Sequence, residues 1–192
     1  MKRIPLLIFF LAMVVCGIGV HIAIQKGWYP VAIVNGKLVG ASRFEQTSTS
    51  IFHYYTQAGQ FFGASEEDVN KVNRHEVRRV TLDKLVENEL LLNKFQEIKK
   101  ADFDERVMDR IATLEQENPD LENAVQELYG VPLNQFKTFV LIPQAREEIV
   151  AGEAFETQDA YLAWLAETRK NAKIYILDPV LTWNGEQIVF RK

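Results

Sequence analysis

The sequence predicts a mainly α-helical domain with a small β-sheet, preceded by one transmembrane helix. Three observations carry that prediction. Residues 4–24 contain no charged side chain and directly follow Lys2 and Arg3. Apolar residues recur at helical spacing through most of 42–170. Strand-like alternation is confined to short runs near residues 31–39 and 172–190.

The 192 residues hold 22 Lys plus Arg against 26 Asp plus Glu, a net charge of −4, and 47% are hydrophobic. That is the balance of one folded domain with an appendage, not of a disordered chain. A single cysteine excludes an intrachain disulfide and a zinc site built from several thiolates. Mild acidity argues against a nucleic-acid binder, which carries a basic face.

Only Pro5 and His21 interrupt the apolar or glycine character of residues 4–24. About 20 such residues, at ~1.5 Å rise, cross a ~30 Å hydrocarbon core. The basic pair ahead of the span predicts a cytoplasmic N-terminus and an extracytoplasmic domain, periplasmic or at the cell surface. Two processing alternatives fit less well. Residues 17–23 offer no good A-x-A cleavage pattern. Val14 and Val15 are bulky for the positions before a lipoprotein cysteine at Cys16. As part of an anchor, Cys16 is a small apolar residue. Without the two basic residues of 1–24 the remaining charge is 20 − 26 = −6, which suits a solvated body that anionic lipid does not hold flat.

Taken in order, Trp28 and Tyr29 read as an interfacial aromatic anchor, and Pro30 ends any helical continuation. Val31 to Val34 reads as a strand, Asn35-Gly36 as a tight turn, and Leu38-Val39 as a return strand. Ser42-x-x-Glu45 has the form of a capping box opening a helix. Phe44, Ile51, Tyr55, Ala58 and Phe62 share its apolar stripe, with Phe52, Tyr54 and Phe61 flanking. Ser65-x-x-Asp68 opens a second helix running to about Lys99, and Leu90 to Leu92 point in three directions from it, marking the centre of the fold. Asp102 or Asp104 caps a third helix carrying Val107, Met108 and Ile111, broken at Asn118-Pro119. A short helix from Leu121 to Tyr129 ends at Gly130. The next begins near Val131 and is kinked at Pro143. Thr157 caps the last helix. Ala172 to Leu177 alternates as a strand, and Val180 to Phe190 reads as a small hairpin around Asn184-Gly185. The predicted units are an anchor over 1–27, a helical domain over 28–178 and a C-terminal extension over 179–192.

The order of these segments is more specific than any one of them. V-A-I-V-N-G from Val31, S-R-F-E from Ser42, L-D-K-L-V-E-N-E-L-L-L from Leu82, L-Y-G-V-P-L-N-Q-F-K from Leu128 and W-L-A-E-T-R-K-N-A-K-I-Y-I-L from Trp164 follow in sequence. Over most of 29–177 the chain resembles the N-terminal chaperone domain of the SurA family, which also resembles modules of the PrsA and PpiD foldases and, more distantly, of trigger factor. The resemblance implies that the first and last strands pair in a small sheet. It also implies a chaperone activity. The parvulin prolyl isomerase domain that the family often inserts before the last helix has no room in residues 150–156, so no enzyme activity is expected.

No motif for catalysis emerges. His21, His53 and His75 are widely spaced, and His75-Glu76 lacks the second histidine of a zinc-protease helix. Ser48 and Ser50 lie in no nucleophile elbow, and no phosphate-binding glycine loop occurs. Neither a cofactor nor a metal is expected. The dense aromatics between Phe44 and Phe62 read as core in part and as a groove for polypeptide in part. Phe52, Tyr54 and Phe61, flanking the core stripe, are the groove residues expected on this helix, with Phe136 and Phe139 on the opposite wall. Unfolded or secreted polypeptides are the expected partners, with the membrane engaged through residues 4–24 and nucleic acid excluded. An envelope assembly factor holding one fixed partner is the alternative.

Overall fold

The computed structural model describes residues 26–61, 72–98 and 102–191, together with His21. Apart from His21, the expected span at 4–24 lies outside them, as do the Ser65-x-x-Asp68 motif and Phe62. Among the described residues, no helix is long and apolar enough to cross a membrane.

Strands β1 (Pro30–Val34), β2 (Lys37–Gly40) and β3 (Ile174–Ile176) form an antiparallel sheet in the order β2-β1-β3. The pairing of first and last strands is the one the resemblance implied. Asn35 and Gly36 both adopt positive φ, 49° and 84°, as a two-residue hairpin turn of matching twist requires. Asn35 does more than turn the chain. Its N–H donates to the Lys173 carbonyl and its Oδ1 accepts from the Lys173 N–H, both at 2.9 Å, which docks β3 beside the turn.

Helix α1 (Ala41–Phe61) follows β2 without a loop. The capping box does not form. The Ala41 N–H donates to the Tyr29 carbonyl at 2.8 Å and the Ser42 N–H to the Gly27 carbonyl at 3.1 Å. With these orphan donors satisfied by the incoming chain, Glu45 is released to pair with Arg78. Helix α2 (Arg74–Ile98) starts later than the sequence predicts, because Asn73 caps it: Asn73 Oδ1 accepts from the His75 N–H at 2.9 Å.

At about 1.5 Å per residue, α2 is a rod of roughly 37 Å. It joins two apolar clusters. One gathers Val34, Val39, Phe44, Leu82, Val86 and Leu90 beneath the sheet. The other contains Leu91 with residues from α3 (Phe103–Glu117), α4 (Leu121–Tyr129) and α7 (Gln158–Asn171). Adjacent leucines, Leu90 and Leu91, therefore belong to different clusters, as the three-way turn predicts. On α3, Val107 and Ile111 are buried and Met108 is 56% exposed.

Caps behave largely as the residue types dictate. Gly130 ends α4 at φ 68°, and Thr157 Oγ1 accepts the Ala160 N–H at 3.1 Å to start α7. Asp102 sits at the start of α3 without making a side-chain cap bond.

Pro143 produces a π-turn where a kink was expected. Segments α5 (Leu133–Phe136), a π-helical turn (Lys137–Leu141) and α6 (Ile142–Ala154) run on through right-handed helical dihedrals. A proline at 143 cannot donate to the carbonyl of residue 139 and crowds it. Widening the preceding turn by one residue relieves both problems, and the Ile142 N–H donates to the Lys137 carbonyl five residues back.

The C-terminal segment packs into the body. Strands β4 (Leu181–Trp183) and β5 (Ile188–Phe190) pair around Gly185, with Leu181 and Ile188 fully buried in the sheet-side cluster. Side chains of α2 satisfy the outer edge of β5. Arg79 donates to the Ile188 carbonyl at 2.9 Å and Asp83 Oδ1 accepts the Ile188 N–H at 3.1 Å, so that edge offers no free ladder there.

Candidate functional site: an aromatic groove along the first helix

Where α1 and α2 pack together, small hydroxyl residues line the space between them. Thr47 and Thr81 are buried, and each donates its hydroxyl to the carbonyl four residues back, at 2.8 and 2.7 Å. Their polarity is thus satisfied within each helix. Two turns further on, α1 carries the aromatics Tyr54 and Tyr55.

They form one side of an open, mostly apolar groove of about 450 Å³. Ile51, Tyr54 and Tyr55 stand on α1, with Leu85 and Asn88 of α2 beside them. Across from them lie Tyr129, Phe139, Val140 and Pro143, so the π-turn supplies the opposite wall. Two smaller hollows continue it. One, of about 250 Å³, runs from Tyr54 past Ala58 and Phe61 to Leu128 of α4. The other, of about 210 Å³, lies between Ile51 and Tyr55 and the Val77–Val80 turn of α2. Tyr54 borders the first two, and Ile51 and Tyr55 border the first and third.

An aromatic ladder braces this surface. Tyr54 stacks on Tyr129 at 4.8 Å between ring centroids with 17° between planes, and Tyr129 meets Phe136 at 4.6 Å. Burial, with smaller contributions from Tyr54 and Tyr55, raises the Tyr129 phenol pKa, keeping the wall uncharged. His53 clamps α4 to the back of α1: its Nδ1 lies 2.9 Å from the Leu128 carbonyl. A carbonyl can only accept, so Nδ1 carries the proton. The same ring lies 3.3 Å from where a Cβ on Gly130 would sit, which together with the positive φ requires glycine there.

The five residues singled out from sequence divide. Tyr54 and Phe139 line the groove, and Phe61, 80% exposed, stands at its far end. Phe136 is buried behind the wall and supports Tyr129 without lining the groove. Phe52 is on another side of α1, half-buried beneath the Arg74 guanidinium at 4.5 Å. Tyr55, expected in the core, is 50% exposed on the rim. Tyr129, Val140 and Pro143 were missed. Their signal was the aromatic spacing of Tyr129, Phe136 and Phe139 across the Gly130-Val131-Pro132 break.

One end of the groove is charged. Lys84 Nζ donates to Glu147 at 2.8 Å and also pairs with Glu87, while the buried Tyr161 hydroxyl donates to the other Glu147 oxygen at 3.0 Å. Burial, then the adjacent Glu147 carboxylate, pushes the Tyr161 phenol well above its ordinary value of 10.0. For Lys84 burial acts downward, but its bonds to Glu147 and Glu87 outweigh it and the pKa rises above 10.5. Both folded-state values exceed the unfolded ones, so this stabilisation is complete below about pH 10 and is lost as pH climbs beyond it. Thermal melts between about pH 9 and pH 11 should show a falling midpoint. Tyr161→Phe should flatten part of that fall, and an equally steep fall in the variant would discount the tyrosine.

Residues 1–131 match the family model of the SurA-like N-terminal domain. The chain belongs to the SurA-like N-terminal domain family. No curated protein and no solved structure matches it. The SurA-like family is chaperone-related, and the matched residues include α1, α2 and α4, which carry much of the groove. The π-turn wall, α7, β3 and the hairpin lie beyond the matched range.

Proposed function

We propose that this protein is a membrane-anchored, extracytoplasmic chaperone that binds unfolded or secreted polypeptides without ATP and without isomerase activity. The observation that carries the reading is the open aromatic groove along α1 in a chain of a chaperone-related family. Its walls offer apolar contact of several shapes, with Asn88 and Gln144 as polar points beside them. That combination holds many apolar side chains weakly, as a chaperone requires. The anchoring rests on the uncharged run at residues 4–24 and the basic pair before it.

Tyr55 and Phe61 are the residues with which to test it, because both are exposed and removing them spares the core. The double variant Tyr55→Ser, Phe61→Ser should unfold within about 1 kcal/mol of the parent, as exposed substitutions generally do. Its ability to suppress aggregation of several unrelated unfolded proteins should fall markedly. Full suppression by the folded double variant would remove the groove from the function. Suppression restricted to one client would favour an assembly factor with a fixed partner.

A further inference from the structure

The outward face of the three-stranded sheet is apolar where a solvated sheet would be polar. In the register of the strands, Leu38 of β2, Ile33 of β1 and Tyr175 of β3 stand directly opposite one another, forming one row across all three strands. Residues opposite each other in antiparallel pairs share a face. Leu38 is 64% exposed and Tyr175 61%. Leu177, just past the end of β3, is 50% exposed. Trp28, 68% exposed, lies just before β1, with Lys26 Nζ 5.0 Å from its ring centroid.

Charge separates this end of the molecule from the rest. Residues 26–41 and 172–177 carry Lys26, Lys37 and Lys173 and no acidic residue, a total of +3. The exported chain sums to −6, so the remainder carries −6 − 3 = −9. The overall acidity, which on average keeps a body away from anionic lipid, is absent from the sheet end. An apolar row flanked by aromatic residues and lysines is the composition of an interfacial surface.

The path of the chain points the same way. The uncharged run ends at Ile24, and Trp28 is four residues on, a reach of at most about 14 Å. Residues 27–29 are not a free tether. The Gly27 and Tyr29 carbonyls are bonded to the first turn of α1, and a Cβ on Gly27, at φ 65°, would lie 3.0 Å from the Ser42 nitrogen. A membrane span ending at Ile24 therefore delivers the sheet end, not the groove, to the lipid surface.

We infer that the Leu38–Ile33–Tyr175 face docks on the headgroup and acyl boundary of an anionic bilayer. This rests on the reading of residues 4–24 as a membrane anchor. Docking fixes the orientation of the domain, so that the clients of the groove are held at a set distance from the membrane.

The test uses the full chain in vesicles of phosphatidylethanolamine and phosphatidylglycerol, with Cys16→Ser and one new cysteine, Leu38→Cys or Tyr175→Cys, carrying a small fluorophore. Met108→Cys, on the exposed side of α3, is the control. Nitroxide-labelled lipid should quench the probes at 38 and 175 several-fold more than the probe at 108, and replacing phosphatidylglycerol by phosphatidylcholine should reduce that difference. Equal quenching at all three sites, in protein that floats with vesicles after alkaline washing, would overturn the docking and leave the anchor intact. Loss of protein from vesicles in the alkaline wash would remove the anchor and the docking with it. Disulfide crosslinking between copies through Leu38→Cys, with no lipid quenching, would assign the face to a second copy and also overturn the inference.

Discussion

Leu91→Ala should lower the unfolding free energy by about 2–5 kcal/mol, the range for a buried leucine whose neighbours cannot collapse into the space. The side chain is 3% exposed in the second apolar cluster. With Phe95, Pro143 and Arg146 it borders a hollow of only about 10 Å³. A loss of this size is a large part of the ~5–15 kcal/mol that holds a typical domain together. Leu92→Ala, at a partly exposed position one residue on, should cost clearly less. Urea denaturation of both variants is the measurement, and a change below about 0.5 kcal/mol for Leu91→Ala would place that side chain outside the core. Because α2 also supplies Leu85 and Asn88 to the groove, client binding by Leu91→Ala should follow the folded fraction and need no separate cause.

Local chemistry made much of the fold legible. Asn35-Gly36, Gly130 and Thr157 each satisfy a backbone demand that few residues meet, and each occupies its expected place. Leu90 to Leu92 also announced their role, since three adjacent apolar residues on a helix need cover on several sides. The failures were tertiary. Ser42 and Glu45 have the spacing of a capping box, but carbonyls brought in by the Gly27–Tyr29 segment took the orphan donors first. Pro143 foretold a break in the helix without revealing that one extra residue per turn would absorb it.

The groove was half legible for a related reason. Reading apolar residues alone placed Tyr55 in the core and passed over Thr47 and Thr81. In fact the threonines are buried at the floor of the groove between α1 and α2, and Tyr55 is exposed at the rim. Threonine is not counted among the apolar residues, yet a hydroxyl bonded to its own helix packs as a small, nearly apolar group. The wall across the groove comes from residues 129–147, distant in sequence from α1, and no spacing rule within α1 points to them.

Arg169→Leu should destabilise the protein by about 2–3 kcal/mol, at or just below the range for removing one partner of a fully buried ion pair, because these ions are part-buried. Arg169 lies in the last turn of α7, where a positive charge also suits the helix dipole. Its side chain is 13% exposed. One guanidinium nitrogen donates to Asp83 at 2.5 Å, a second to Glu87 at 3.0 Å and Nε to the Glu186 carbonyl at 3.1 Å, while the group sits 5.6 Å from the Trp183 ring. A single fork thus joins α7, α2 and the β4–β5 turn. Without it, Asp83 keeps the Ile188 N–H and Glu87 keeps Lys84, so neither carboxylate is wholly stranded, which sets the cost at the lower end. Arg169→Lys should recover only part of the loss, because a point charge cannot reach three acceptors at once. Adding Asp83→Asn to Arg169→Leu should then cost little or even restore stability, since the unpaired charge is removed. Amide exchange at β5 should rise in Arg169→Leu ahead of exchange in α2, because the hairpin loses its bond through Glu186 while the α2 ladder stays intact. A variant within about 0.5 kcal/mol of the parent would show these ions to be as weakly coupled as an exposed surface pair. The hairpin would then be held chiefly by Leu181, Ile188 and the bonds of Arg79 and Asp83 to β5.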